Sequence, residues 1–209
     1  MPLSTTDGKR AVAIARETLE AFVGGGGAPK ASDRSGVFAE LRGVFVTLNT
    51  SPGGPEALRG CIGFPYPVKM LGDAIREATV AAASEDPRFP PVSKSELGSI
   101  LVEVSVLTRP RAVAYSRPAD RPAAVKVGED GLMVTRPPFS GLLLPQVATE
   151  FGMDATEFLS QACMKAGLQP DAWLDASTHV ETFQADIFSE LSPRGEVARV
   201  DLARDGKQR

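Results

Sequence analysis

The chain has 209 residues and carries 23 Lys and Arg against 26 Asp and Glu, a formal charge of −3. That balance excludes an electrostatic basis for a nucleic-acid partner, which draws on clustered Lys and Arg. Two cysteines, Cys61 and Cys163, and a single histidine, His179, exclude a Cys/His zinc site unless carboxylates complete it.

In chain order, Ala11, Ile14, Ala15, Thr18, Leu19, Phe22 and Val23 recur at helical spacing, with Arg16, Glu17 and Glu20 on the opposite, polar face. These charges also break the longest early apolar run, so no membrane partner or membrane-spanning segment is expected. Gly24 to Gly27 end the helix, because glycine loses the most backbone entropy on ordering. Gly43 to Asn49 reads as a strand, followed by the breaker cluster Ser51 to Pro55 and a second strand over Ala57 to Phe64, a hairpin with a long loop. A helix over Met70 to Ser84 presents Leu71, Ile75, Ala78 and Ala82 on one face and exits through the proline-rich Glu85 to Pro91. Ser99 to Leu107 alternates as a strand, with Ile100, Val102, Val104 and Val106 on one side and Leu101, Glu103, Ser105 and Leu107 on the other.

Residues 108–124, rich in Pro and Arg, read as a crossing segment. Val125 to Val127 and Leu132 to Val134 flank Gly128-Glu129-Asp130-Gly131, a hairpin turn signal. Asp154 and Glu157 form a capping-box pattern for a helix with the stripe Phe158, Leu159, Ala162, Ala166 and a stop at Gly167. A last strand is expected over His179 to Phe188, and a polar, mobile tail over residues 191–209. Strands not regularly interleaved with helices predict an α+β fold with a mostly antiparallel sheet flanked by helices.

The chemistry concentrates in Leu58-Arg59-Gly60-Cys61-Ile62-Gly63. On a strand Arg59 and Cys61 share a face, so the guanidinium is expected to favour the thiolate and lower the thiol pKa. Gly60 and Gly63 each weaken a strand by about 0.5–1 kcal/mol, a cost that points to a bulge or to close approach of a backbone or ligand. The opposing reading is a packed cysteine behaving as a small hydrophobe. Glu103 is a candidate base or a partner for Arg59, and Asp86 and Arg88 flank Pro87 as candidate ligand contacts or a structural ion pair. Gln146 is a candidate amide contact in an apolar run. His179 is set aside as a Cys–His partner, Cys163 is expected in the core, and Lys165 suits a helix C-terminus. No GxGxxG, P-loop, HExxH or GxSxG pattern occurs.

The LRGCIG segment resembles the signature of the AMMECR-one domain family, as do Gly43 to Leu48, Asp86 to Val92, Glu103 to Leu107, Gly141 to Val147 and Lys165 to Leu168, in the expected order. The resemblance covers about residues 8–190. It implies two unequal subdomains of one domain, with a cleft between them near the cysteine. The division expected is a larger α+β part at about 8–108 and 148–190 and a smaller β-rich part at about 109–147. It implies no agreed reaction; no cofactor and no metal are expected. The implied partners are MEMO-like and radical SAM proteins of a shared modification pathway, together with an unknown small molecule. The expected site is then Cys61 and Glu103 as reactive groups, with Arg59, Gly60, Gly63, Asp86, Arg88 and Gln146 around a ligand, in a cytoplasmic protein with reduced thiols. A non-catalytic adaptor that docks a partner protein is the alternative.

Overall fold

The structure is a computed structural model and describes residues 2–27, 33–51 and 58–200. The chain divides into two compact units, one formed by residues up to Thr108 together with Asp186–Val200, the other by Arg109–Ala185.

In the first unit, helix α1 spans Thr5–Ala21, opened by the Ser4 hydroxyl accepting the Asp7 N–H at 3.1 Å. The glycine run extends it by a π-helical turn over Phe22–Gly26 before Gly27, at φ +71°, ends it. Strand β1 (Val44–Thr50) pairs antiparallel with β2 (Leu58–Phe64) on one side and β3 (Ile100–Leu107) on the other. Helix α2 (Leu71–Ser84) follows β2. The predicted turn residues 52–55, and Ala57 of the predicted strand, lie outside the described residues. The β-branched alternation of β1 and β3 buries Val44, Val46, Leu48, Ile100, Val102, Val104 and Val106, which share one core with Ala11, Ile14, Ala15 and Leu19 of α1 and Leu71, Ala74, Ile75 and Ala78 of α2. Each such side chain contributes about 1.5–3 kcal/mol when fully buried. The helices thus take one face of the sheet, and the other face is left to Phe45, Thr47, Asn49, Cys61, Leu101 and Glu103, all half-buried.

Arg16, expected on the polar face of α1, is instead buried. Its Nε donates to Glu190 at 2.9 Å and its Nη2 donates to Glu190 and to the Ile100 carbonyl, while Glu190 also accepts the Val102 N–H at 3.0 Å. Helical period alone cannot place a charge whose counter-charge lies 174 residues away.

The second unit has its own core. Strands β5 (Gly131–Arg136) and β6 (Phe139–Leu143) form a hairpin, and the sheet order is β4 (Arg111–Ala112), β7 (His179–Phe183), β5, β6. The short helix α3 is Pro145–Glu150, and α4 is Ala155–Lys165. The capping box is present, with Asp154 accepting the Glu157 N–H at 2.8 Å and Glu157 accepting the Asp154 N–H at 3.0 Å. Gly167, at φ +78°, closes α4 as expected. Buried Arg121, in the crossing segment, donates to the carbonyls of Asp175 and Thr178 and to the Tyr115 hydroxyl.

Four expectations are corrected. The division of the chain falls at Thr108 and Ala185, so α3, α4 and β7 belong with the smaller sheet, because Phe158, Leu159, Ala162 and Cys163 close on Leu132, Val134 and Val180. The hairpin turns at Pro137–Pro138, whose peptide is cis, and not at residues 128–131. The latter form a tight turn in which Asp130 accepts the Lys126 N–H at 2.9 Å, and Val125 to Val127 are not a strand. The single strand over 179–188 is two strands, since β7 pairs with β4 and β5 of the second unit while β8 (Ala185–Glu190) joins the first sheet, in the order β2, β1, β3, β8, β9. The expected mobile tail does not hold for residues 191–200, where β9 (Val197–Arg199) pairs with β8; residues 201–209 lie outside the described residues.

Candidate functional site

The β-ladders build the site. Thr47 is the register partner of Cys61 on β2 and of Glu103 on β3, so Cys61, Thr47 and Glu103 form a row across three strands on the face away from α1 and α2. Directly opposed residues bring their Cβ atoms to about 4.5–5.5 Å. The Thr47 hydroxyl donates to the Cys61 sulfur at 3.3 Å.

The edge of β2 is held by the segment that leaves α2. Buried Asp86 accepts the Cys61 N–H at 2.8 Å and the Arg88 N–H at 3.1 Å, and binds the Arg88 guanidinium through Nε at 2.9 Å and Nη2 at 2.7 Å. Arg88 Nη2 in turn reaches the Cys61 carbonyl at 3.5 Å. Two side chains thereby occupy the outward N–H and C=O of Cys61, as a neighbouring strand would. The Arg88 guanidinium and these N–H donors hold the Asp86 carboxyl well below the usual carboxylate range.

Arg59 does not take the role expected of it. Its Nε donates to Glu96 at 2.6 Å and its Nη2 to the Pro91 carbonyl at 3.3 Å, and its guanidinium lies 5.9 Å from the Phe89 ring. A register shift between Leu48 and Asn49 pairs them with Gly60 and Leu58 and leaves Arg59 between them as the extra residue on β2. Glu96 is held down to about 2 by Arg59 and by the backbone and hydroxyl of Ser93. The Cys61 thiol moves in the opposite direction from the one expected. Burial pushes it up; the Thr47 hydrogen bond and the Arg88 charge lower it, and the charges of Glu103 and Asp86 raise it further. The cation that acts on the sulfur is therefore Arg88, and Arg59 instead ties β2 to the Ser93–Glu96 turn.

The two glycines are explained by packing. A Cβ on Gly60 would stand 2.1 Å from the Ala82 carbonyl oxygen of α2, and one on Gly63 would stand 2.3 Å from the Val44 oxygen and 2.5 Å from the Phe45 ring. Protein atoms fill the space each glycine leaves, so neither opens room for a ligand. Glu103 sits where the alternation placed it, and Asp86 and Arg88 form the ion pair weighed for them. Gln146 lies in the second unit on α3, where its buried Oε1 has no hydrogen-bond partner among the described residues. His179 is exposed at the start of β7, and Cys163 is fully buried in the α4 core. Among the described residues, no group of three or more His, Cys, Asp or Glu side chains is arranged to hold a metal ion, and no helix is long and apolar enough to cross a membrane.

Two contributors escaped the sequence reading. Thr47 was one polar residue on an alternating strand, and its pairing with Cys61 depends on the turn between the strands. Glu96 was not singled out in the sequence; the signal that could have found it is the Ser-x-x-Glu spacing from Ser93, which forms a capping box in the structure.

The chain is 52% identical over 190 residues to a protein of Methanothermobacter thermautotrophicus, covering 90% of this chain and 97% of that protein. It is 50% identical over 197 residues to one of Thermococcus gammatolerans, covering 93% and 96%. Among solved structures, the crystal structure of uncharacterized protein PH0010 from Pyrococcus horikoshii superposes with a TM-score of 0.88 at 45% identity, covering 95% of this chain and 98% of that one. The AMMECR1 family model matches residues 12–188, and with this match and these relatives the chain belongs to the AMMECR1 family.

Proposed function

We propose that the protein binds a small molecule or a modified residue at the Cys61 face and acts in a modification pathway with MEMO-like and radical SAM proteins. The observation that supports the binding reading is the in-register row of thiol, hydroxyl and carboxylate at Cys61, Thr47 and Glu103, with the Arg88 guanidinium beside it. A nucleophile, a hydrogen-bond donor to it, a carboxylate and a cation on one face are the elements a polar ligand uses for orientation. In this reading Cys61 reacts only after losing its proton. Glu103, two strands away, serves as base through the bound ligand or a water and not by direct contact, since two strand spacings amount to about 10 Å. The pathway and its partners rest on family resemblance.

The neutral thiol supports a second reading, a non-catalytic adaptor, because burial disfavours a resting thiolate. One experiment separates the two. The wild-type chain and Cys61→Ser are each equilibrated with the low-molecular-weight fraction of a cell extract, washed, and compared by mass spectrometry. The binding reading expects a compound retained by wild type and lost from Cys61→Ser. No compound retained by wild type above the level of Cys61→Ser overturns it, and equal capture of the same partner proteins by both chains from the whole extract then favours the adaptor.

A further inference from the structure

The Arg88 guanidinium is divided between two surroundings. Its Nε and Nη2 are held by Asp86 and by the Cys61 carbonyl, whereas Nη1 makes no hydrogen bond among the described residues. The side chain is 52% exposed, while its partner Asp86 is only 2% exposed. The Phe89 ring lies 5.4 Å from the guanidinium carbon and limits how far the group can swing. The result is an oriented donor edge, fixed from beneath by a buried carboxylate and open on its outer side, on the residue whose charge acts on the Cys61 sulfur.

We infer that this edge is a carboxylate subsite, and that the ligand of the Cys61 face is a compact monocarboxylate whose acid group is held by Arg88 while its adjoining carbon meets the sulfur. A guanidinium edge matches a planar carboxylate in shape and charge. The groups whose charges act on the thiol are Arg88, Asp86 and Glu103, one positive and two negative. The Asp86 charge is already spent on Arg88, and Glu103 lies on the same face, so a single negative charge is tolerated far better than the two of a phosphate monoester. The inference rests on the reading of the Cys61 face as a binding site and adds the chemical class of what binds there.

The test uses two alkylating agents of nearly equal size, iodoacetate and iodoacetamide. In each, the sulfur displaces iodide, and the thiol proton passes to the buffer. Rates are measured on the full folded chain at one alkaline pH, with modification located by peptide mass, and expressed as the iodoacetate-to-iodoacetamide ratio relative to that of the unfolded chain. The ratio at Cys61 is expected to rise about three- to tenfold on folding, the scale of one screened charge a few ångströms away. Arg88→Gln should abolish the rise, Arg88→Lys should keep part of it, and Glu103→Gln, which leaves the Asp86–Arg88 pair intact, should increase it. A Cys61 open to iodoacetamide with the ratio of the unfolded chain, unmoved by Glu103→Gln, overturns the carboxylate subsite alone. A Cys61 inert to both reagents in the folded chain overturns the binding reading itself.

Discussion

The two cysteines are the same chemical group placed in two different physical settings. Cys163 stands on the inner face of α4, fully buried beside Phe158, Leu159 and Ala162 in the core of the second unit. Cys61 stands on the edge strand of the first unit, half-buried, with a hydroxyl on its sulfur, a carboxylate on its N–H and a guanidinium on its carbonyl. Burial pushes both thiols up. The direction of the shift therefore does not distinguish packing from chemistry; the neighbours do. Around Cys163 the packed side chains are apolar, with the Trp173 backbone bonding the thiol and the charges of Arg121, Arg136 and Asp171 acting on it; around Cys61 a buried carboxylate and a half-exposed guanidinium hold the strand edge itself.

The comparison breaks most sharply at the carboxylate that holds β2. Asp86→Ala strips the partner from the Cys61 N–H and from Arg88 together, and should destabilise the first unit by about 2–3 kcal/mol in denaturant melts, the usual scale for losing a charged, buried hydrogen-bond acceptor. Cys163→Ser puts a hydroxyl into an apolar core and should cost about 2 kcal/mol, whereas Cys61→Ser, on a polar and half-open face, should cost less than about 1 kcal/mol. Equal losses at the two cysteines would erase the contrast.

A smaller effect is expected in the pH dependence. A thiol raised by folding contributes stability that is complete below its unfolded value and is lost as pH rises through the folded one, because the unfolded chain releases its proton first. Stability should thus decline above about pH 8.5–9, and Cys61→Ser should flatten part of that decline. At the acid end the sign reverses. Glu96, held down to about 2, and Asp86, held well below the usual range, contribute stability above the unfolded carboxylate values that is lost as pH falls toward 2. Glu96→Gln should flatten the upper part of the acid limb; an unchanged limb would mean that the Arg59–Glu96 pair makes no net contribution.

Local signals carried much of the fold. The capping box at Asp154, the stop at Gly167, the alternation of Ile100 to Val106 and the stripe of α2 each depend on residues within a few positions, and each is present as read. Features set by distant pairing were not legible. The run from His179 to Phe188 looks like one strand because both halves are apolar and alternating; only the identity of their partners splits it at Gln184. Arg16 finds Glu190, and Arg59 finds Glu96, through contacts that no spacing announces. At the site, Cys61, Glu103, Asp86 and Arg88 were visible as residues. Their grouping was implied by the family resemblance and not by spacing: Thr47 joins Cys61 to Glu103 once the register of β2, β1 and β3 is fixed, and Asp86 and Arg88 join through the Cys61 backbone. The glycines gave a true signal of close approach, but what approaches is the backbone of α2 and of β1.

The most direct measurement is the rate of iodoacetamide alkylation of each cysteine in the folded chain against pH. The account predicts that Cys61 is modified without unfolding, along a single titration whose midpoint lies above the ordinary thiol value of about 8.5, and that Cys163 is modified only as fast as the chain unfolds. If Cys61 is modified no faster than Cys163 at every pH, it is a packed side chain like its counterpart, and the β2 edge is not a site for a ligand at sulfur.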